Sequence, residues 1–196
     1  VMSSLILLIF IYKCLNTMKN HICTILGGGG FIGRYLVRNL TKKNYRCFIT
    51  TRKAFQKGYL KTQATPGSIE LIDWNRNNFD ELKEAIKNSD IVINLVGILY
   101  ETRKQKFQDI HVGIPDAISK VCAESDVRKF IHVSAIGASE DSKSDYQKSK
   151  FQGEIKALNN FKNTVIIRPS VVCGTEDNFT NLFSKLSFLP FIPVVG

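Results

Sequence analysis

The sequence of 196 residues predicts an α/β fold, a doubly wound parallel sheet of about six strands. Short apolar runs alternate along the chain with segments of helical spacing, and this alternation produces right-handed crossovers between parallel strands. A run of four glycines at residues 27–30 joins the first apolar run to the first amphipathic segment. A strand, a glycine turn and a helix in this order are typical of the Rossmann-type sheet.

The same patterns predict the individual elements. Strands are predicted at residues 21–26, 46–51, 69–73, 91–96, 130–134 and 164–167. The run IVINLV at 91–96 is almost continuously apolar, as expected for a strand covered on both faces. Helices are predicted at residues 31–43, 78–88, 107–125 and 144–160, which have helical spacing of apolar residues. The polar stretch after the second strand, through Pro66 and Gly67, is predicted to be irregular.

The composition is that of an ordinary globular protein, with a formal net charge of +10. The basic residues are scattered, which favours a solvated surface over a surface that binds nucleic acid or an anionic membrane. The cysteines are far apart and form no C-x-x-C pair. They predict reduced thiols in a reducing compartment, without metal or disulfides: Cys14, Cys23, Cys47, Cys122 and Cys173.

The glycine turn predicts a phosphate-binding site. Gly27, Gly30 and Gly33 have G-x-x-G-x-x-G spacing at the junction of strand and helix. A helix N-terminus there presents free backbone N–H groups and the positive end of its dipole, and glycines allow the backbone to approach a pyrophosphate closely. The residues predicted to bind a dinucleotide at this turn are Gly27, Gly30, Phe31, Ile32 and Gly33.

The end of the second strand indicates which dinucleotide is bound. Proteins that prefer NAD carry an acidic residue there for the ribose 2′-hydroxyl, but this chain reads Thr50-Thr51-Arg52. A guanidinium suits a 2′-phosphate, so Arg52 favours NADP(H) over NAD(H). The alternative is that Arg52 is an ordinary surface charge in a loop.

A Y-x-x-x-K pattern at the start of the last predicted helix indicates acid–base chemistry. Tyr146 and Lys150 lie on one helix face, and a lysine ammonium there is expected to lower the pKa of the tyrosine. Ser134 ends the preceding strand, at the edge where open α/β sheets bind ligands. These three residues are the catalytic candidates. The alternative is a solvated tyrosine on a charged helix.

Beyond these motifs the chain resembles the short-chain dehydrogenase/reductase superfamily, in its extended or atypical branch, which is similar to NAD-dependent epimerases and dehydratases. The segments that carry the resemblance are INLVG (93–97), FQDIHVGIP (107–115), RKFIHVSAIGA (128–138), YQKSKFQGE (146–154) and IIRPSVVCGTEDNF (166–179). They look most like one subgroup, the NADPH-binding accessory subunits of respiratory complex I and their bacterial relatives. The resemblance covers residues 19–196.

The resemblance also implies roles for further residues. It places Asp73 and Trp74 beside the adenine, and it has residues 94–97 line the cofactor, with Asn94, Val96 and Gly97 as the named candidates. Lys150 would bind the nicotinamide ribose, and Tyr146 and Ser134 would face a substrate. Arg168 and Pro169 would lie on the nicotinamide side. His111 is interpreted as packing beneath the cofactor site, and His21 and His132 as structural.

The chain departs from this family at three places. Gly29 stands where the family usually has Ser or Thr, and Cys173 where an aromatic residue usually precedes Gly174. Family members also continue well beyond Gly196. We therefore expect a dinucleotide-binding domain at 18–175, followed at 176–196 by the beginning of a truncated substrate lobe. Residues 1–17 are interpreted as an upstream apolar extension or a weak membrane anchor, because their apolar run is shorter than the ~20 residues of a membrane span.

Four functions are compatible with the sequence. The subgroup resemblance implies a protein that holds NADPH in a structural or assembly role at a membrane respiratory complex, in the cytoplasm or peripheral on the inner membrane. Retention of Tyr146, Lys150 and Ser134 implies instead a reductase, epimerase or dehydratase. A degenerate fragment without stable function is the third alternative. RNA binding ranks last, because aromatic and basic residues are not interleaved.

Overall fold

The computed structural model describes residues 2–3, 11, 21–75, 78–174 and 177. Most of the predicted N-terminal extension, and the predicted start of a substrate lobe except Asp177, lie outside the described residues. The domain boundaries therefore stay predictions. In the described part of the chain, every helix is too short or too polar to cross a bilayer.

The strands form a six-stranded parallel sheet and a separate short pair. The sheet contains β2 (Ile22–Leu26), β3 (Arg46–Thr51), β4 (Ile69–Asp73), β5 (Ile91–Asn94), β6 (Lys129–Val133) and β7 (Thr164–Ile167). Their spatial order is β4-β3-β2-β5-β6-β7. The short parallel pair is β1 (Met2–Ser3) with β8 (Val172–Cys173). The predicted doubly wound parallel sheet is confirmed, and its strand order reverses between β2 and β5, where such sheets bind ligands.

Helices cover both faces of the sheet. They are α1 (Phe31–Lys42), α2 (Phe79–Ile86), α3 (Ile114–Ala123) and α4 (Asp145–Asn160). Successive residues of a strand point to opposite faces, so Ile25 belongs to a core with α1 whereas Leu26 belongs to a core with α2 and α3. Strands buried on both faces explain the continuous apolar runs in the sequence.

The stretch predicted to be irregular contains a 3₁₀ helix, Ala54–Gln63, and that prediction was wrong. Its first backbone N–H, that of Ala54, donates to Asp73 Oδ1 at 2.7 Å. Its Leu60 is fully buried in the core. A carboxylate distant in sequence and one buried leucine hold this helix in place. Strong helical periodicity of apolar residues is therefore absent from its sequence.

Two other boundaries differ from the predictions. Strand β5 ends at Asn94, not at residue 96, because the Asn94 side chain accepts the Val96 N–H at 3.0 Å. The helix predicted at 107–125 begins with a π-helical turn, Gln108–Gly113, that continues into α3. Turns of this kind are frequent at functional sites, and this one carries His111.

Candidate dinucleotide site

A cavity of about 1100 Å³ lies beyond the carboxyl ends of the central strands. Seven of the predicted cofactor residues line it: Gly27, Gly30, Arg52, Asp73, Trp74, Val96 and Gly97. The other predicted residues do not line it: Phe31, Ile32, Gly33, Asn94, Lys150 and Pro169. The fold therefore brings the glycine turn and the ends of four strands together around one cavity.

The glycine turn has the geometry that a pyrophosphate requires. Gly27 adopts a φ of +76°, which favours glycine, and its N–H donates to Thr50 O at 3.2 Å. A Cβ atom on Gly33 would lie 2.3 Å from Gly28 O, so only glycine lets α1 approach the turn this closely. Helix α1 begins at Phe31 with no capping side chain and no acidic residue in its first turn. Its first N–H groups and its dipole suit an anion, so the residues present fit a dinucleotide phosphate.

Two cations that follow β3 in the chain line the cavity. Arg52 is exposed at the cavity, and Lys57, from the 3₁₀ helix, also lines it. Lys57 was not among the predicted site residues, because its segment was predicted to be irregular. Asp73 lines the same region, but its Oδ1 already accepts the Ala54 N–H. Trp74 is 7% exposed, packs in the core and lines the cavity with part of its surface.

Asn94 lies beneath the cavity and shapes its wall. Its amide nitrogen donates to His132 Nδ1 at 3.1 Å, while its oxygen accepts the Val96 N–H. Burial, with smaller effects from Lys150 and His111, holds the pKa of His132 well below its usual range. A neutral His132 therefore orients Asn94, which in turn fixes the loop that carries Val96.

His111 fixes the same loop one residue further on. The Ile98 N–H donates to His111 Nε2 at 3.1 Å, so Nδ1 carries the proton and donates to Ser149 Oγ at 2.9 Å. Burial, followed by the Lys150 charge, lowers the pKa of His111 to about 4. The ring also stacks on Phe107 with 5.0 Å between centroids. Its position beside the loop agrees with the packing role that we expected from the sequence.

Lys150 and Tyr146 do not form the predicted electrostatic pair. Lys150 is 3% exposed and its Nζ donates to Val133 O at 2.9 Å. Burial lowers the pKa of Lys150 to about 8, against an upward effect of the Glu154 carboxylate. Burial raises the pKa of Tyr146, whose ring packs edge-on against His111. The expectation that Lys150 lowers the pKa of Tyr146 was wrong, because desolvation of the phenol dominates.

Ser134 lies where the sequence predicted, directly after β6. It is 5% exposed, and its N–H donates to Ile167 O at 2.8 Å. Its Oγ has no hydrogen-bond partner among the described residues. A buried hydroxyl without a partner is rare, and it indicates room for a polar group of a ligand or a water molecule.

An ion pair joins a buried carboxylate of α4 to an exposed guanidinium. Glu154 is 2% exposed and accepts from Arg168 Nε at 2.9 Å. Arg168 follows β7, so the pair ties α4 to the end of that strand. Pro169 is buried next to it, and its carbonyl accepts the Ile136 N–H at 2.8 Å. Glu154 was not among the predicted site residues, although its i,i+4 spacing from Lys150 was a usable signal.

Comparison with known proteins places this geometry in a family. Residues 23–186 match the NAD dependent epimerase/dehydratase family, whose members bind a nicotinamide dinucleotide. The chain is 35% identical over 182 residues to NADH dehydrogenase [ubiquinone] 1 alpha subcomplex subunit 9 of Mus musculus, a mitochondrial protein, covering 92% of this chain and 48% of that relative. It is 32% identical over 171 residues to the mitochondrial NADH-ubiquinone oxidoreductase 40 kDa subunit of Neurospora crassa, covering 87% of this chain and 46% of that one.

The chain therefore spans about half the length of these curated relatives. Among solved structures, UDP-glucuronic acid 4-epimerase from Bacillus cereus has the same fold, with a TM-score of 0.66 and 21% identity over 78% of this chain and 57% of that one. The glycine turn, the strand order and the family match agree. This chain belongs to the NAD dependent epimerase/dehydratase family.

Proposed function

We propose that this chain binds NADP(H) and retains it as a structural nucleotide within a membrane-bound NADH dehydrogenase. The observation that carries the choice of nucleotide is Arg52, which lines the cavity directly after β3 where NAD-preferring proteins have an acid. A guanidinium forms charge-assisted, bidentate contacts with a phosphate. The family match and the glycine turn support the dinucleotide, and Arg52 supports its 2′-phosphate.

The test measures the affinities of the purified chain for NADPH and NADH by fluorescence titration, together with the nucleotide released on denaturation. We expect bound NADPH and a preference for it over NADH. Arg52→Asp removes one charge-assisted contact and places a carboxylate there, so NADPH affinity should fall by about 10-fold or more. Arg38→Asp, an exposed site on α1 that does not line the cavity, is the charge-matched control. Unchanged NADPH affinity in Arg52→Asp contradicts the assignment.

The proposed partner follows from the relatives. Both curated proteins described above are named as subunits of an NADH dehydrogenase or NADH-ubiquinone oxidoreductase, and both are mitochondrial. We place this chain at the same enzyme, peripheral to its membrane. Native gels of membranes solubilised in mild detergent should show the chain migrating with NADH dehydrogenase activity. A chain found only in the soluble fraction would contradict this partner.

One observation favours a second function, that of an active reductase, epimerase or dehydratase. The buried Ser134 Oγ has no partner among the described residues, and it follows Val133, whose carbonyl accepts from Lys150. A bound nicotinamide supplies hydride transfer. In this function Ser134 would hold a substrate oxygen and Tyr146 would exchange a proton with it, with Lys150 fixed between β6 and α4.

The two functions differ in turnover. The structural function predicts that bound NADPH survives purification and is not oxidised by carbonyl compounds. The second function predicts turnover that Tyr146→Phe abolishes. The raised pKa of Tyr146 favours the structural function, because a buried phenol gives up its proton less readily.

A further inference from the structure

The third glycine of the turn, Gly29, has a lysine side chain packed over it. A Cβ atom on Gly29 would lie 3.2 Å from Lys57 Cγ and 3.3 Å from Lys57 Cδ and Cε. The methylene stem of Lys57 therefore occupies the space into which a side chain at position 29 would project. Long cationic side chains commonly bury their stems in this way while the charged end stays in water.

The 3₁₀ helix directs Lys57 to the cavity. Ala54 is anchored by Asp73, Leu60 is buried in the core, and Lys57 lies between these two fixed points. The Lys57 ammonium lies 5.9 Å from the Tyr59 ring centroid. Arg52 precedes the same helix, and both cations line the cavity that Gly29 also lines.

The cations that line the cavity outnumber the acids. Among the described residues the cations are Arg52, Lys57, Arg103 and Lys104, and the acids are Asp73 and Glu81. Asp73 accepts the Ala54 N–H, and Glu81 accepts the Asn75 N–H at 3.0 Å. No ion pair between Lys57 and a carboxylate is present in the described part of the chain. An anion bound beside Gly29 would therefore lie near the Lys57 side chain, in a cavity that Arg52 also lines.

We propose that Lys57 is a second specificity-determining residue of this site, which binds the ribose 2′-phosphate of NADPH together with Arg52. The inference rests on the proposed function, since it assumes that NADP(H) is the ligand. Gly29 is part of the same arrangement. Because glycine has no side chain, the stem of Lys57 can pack over this position and extend towards the phosphate.

The test is a set of four variants, each titrated with NADPH and with NADH. Lys57→Met keeps the stem and removes the charge, so NADPH affinity should fall about 10-fold while NADH affinity stays within about twofold. Gly29→Ser should have the same selective effect, because the new side chain displaces the flexible stem of Lys57. Lys61→Met, an exposed residue of the same helix, is the matched control and should leave both affinities unchanged. Lys57→Arg keeps the charge and should retain the preference for NADPH.

The outcomes separate this inference from the proposed function. If the unaltered chain binds NADH as tightly as NADPH, the proposed function fails first. If the unaltered chain prefers NADPH and Lys57→Met keeps that preference, Lys57 does not determine specificity and the inference is wrong. An equal loss of affinity for NADPH and NADH in Lys57→Met also overturns the inference. Lys57 would then contact the pyrophosphate that the two nucleotides share.

Discussion

Gly153→Ala offers a prediction in which local and tertiary effects have opposite signs. Gly153 lies inside α4, where alanine is favoured over glycine by about 1 kcal/mol. A Cβ atom at this position would lie 1.9 Å from His111 O and 3.0 Å from His111 C. Real Cβ contacts below 3.0 Å essentially do not occur, so α4 and the π-helical turn would have to separate by about 1 Å.

The clash should outweigh the gain in helix propensity. Overpacking costs ~1–3 kcal/mol and more when backbone must move, so we expect a net loss of about 2 kcal/mol in the free energy of unfolding. In a chain of this size that lowers the melting temperature by roughly 4–8 °C. Displacement of His111 should also release the Ile98 N–H and weaken dinucleotide binding.

Urea unfolding followed by circular dichroism measures this change against two control substitutions. Gly113→Ala places a Cβ 3.6 Å from its nearest neighbour, Gln108 O, and Gly58→Ala has no neighbour within 4 Å. Both should leave stability unchanged or raise it by up to about 1 kcal/mol. If Gly153→Ala raises the unfolding midpoint as these controls do, the close approach of α4 to the π-helical turn is refuted.

Two predictions concern the charges around the cavity. The pKa of His111 is about 4 in the folded protein, against an ordinary value of 6.5, so the folded state favours the neutral ring. The contribution of His111 to the free energy of unfolding is therefore present above pH 6.5 and is lost as the pH falls towards 4. The free energy of unfolding measured in urea should fall by about 2 kcal/mol between pH 7 and pH 5 because of this residue. An NMR titration that gives His111 a pKa near 6.5 would exclude this contribution. Glu154→Gln weakens the bond to Arg168, so the free energy of unfolding should fall by about 1–3 kcal/mol. The substitution also removes a negative charge near Lys150, so the pKa of Lys150 should fall further below about 8. Urea unfolding and NMR of Lys150 Cε measure these effects, with the exposed Glu140→Gln as control; an unchanged Lys150 pKa would show that Glu154 does not act on it.

Local patterns predicted the parts of the site that depend on backbone conformation. The glycine spacing predicted the turn at Gly27, and the absence of an acid after β3 drew attention to Arg52. Both signals are local, because they depend on a few consecutive residues at one strand end. The same reasoning missed Lys57, whose 3₁₀ helix is capped by Asp73, a residue 19 positions from Ala54.

Acid–base properties were predicted less well. The i,i+4 spacing of Tyr146 and Lys150 indicated a shared helix face, and both residues do lie on α4. The spacing could not show that burial dominates both pKa values, because it raises that of Tyr146 and lowers that of Lys150. Desolvation depends on every segment packed around a side chain, so a spacing rule within one helix does not contain it.

The sequence by itself determined the parallel sheet, its glycine turn and the identity of the residues at each strand end. Alternating apolar and amphipathic segments suffice for this, because hydrophobic periodicity and backbone sterics act over short distances. Only the tertiary structure decided that Lys57 packs over Gly29, that His111 and His132 are held neutral, and that Gly153 must stay small. These features arise where segments far apart in sequence meet, and the space and solvation at such places are set by packing.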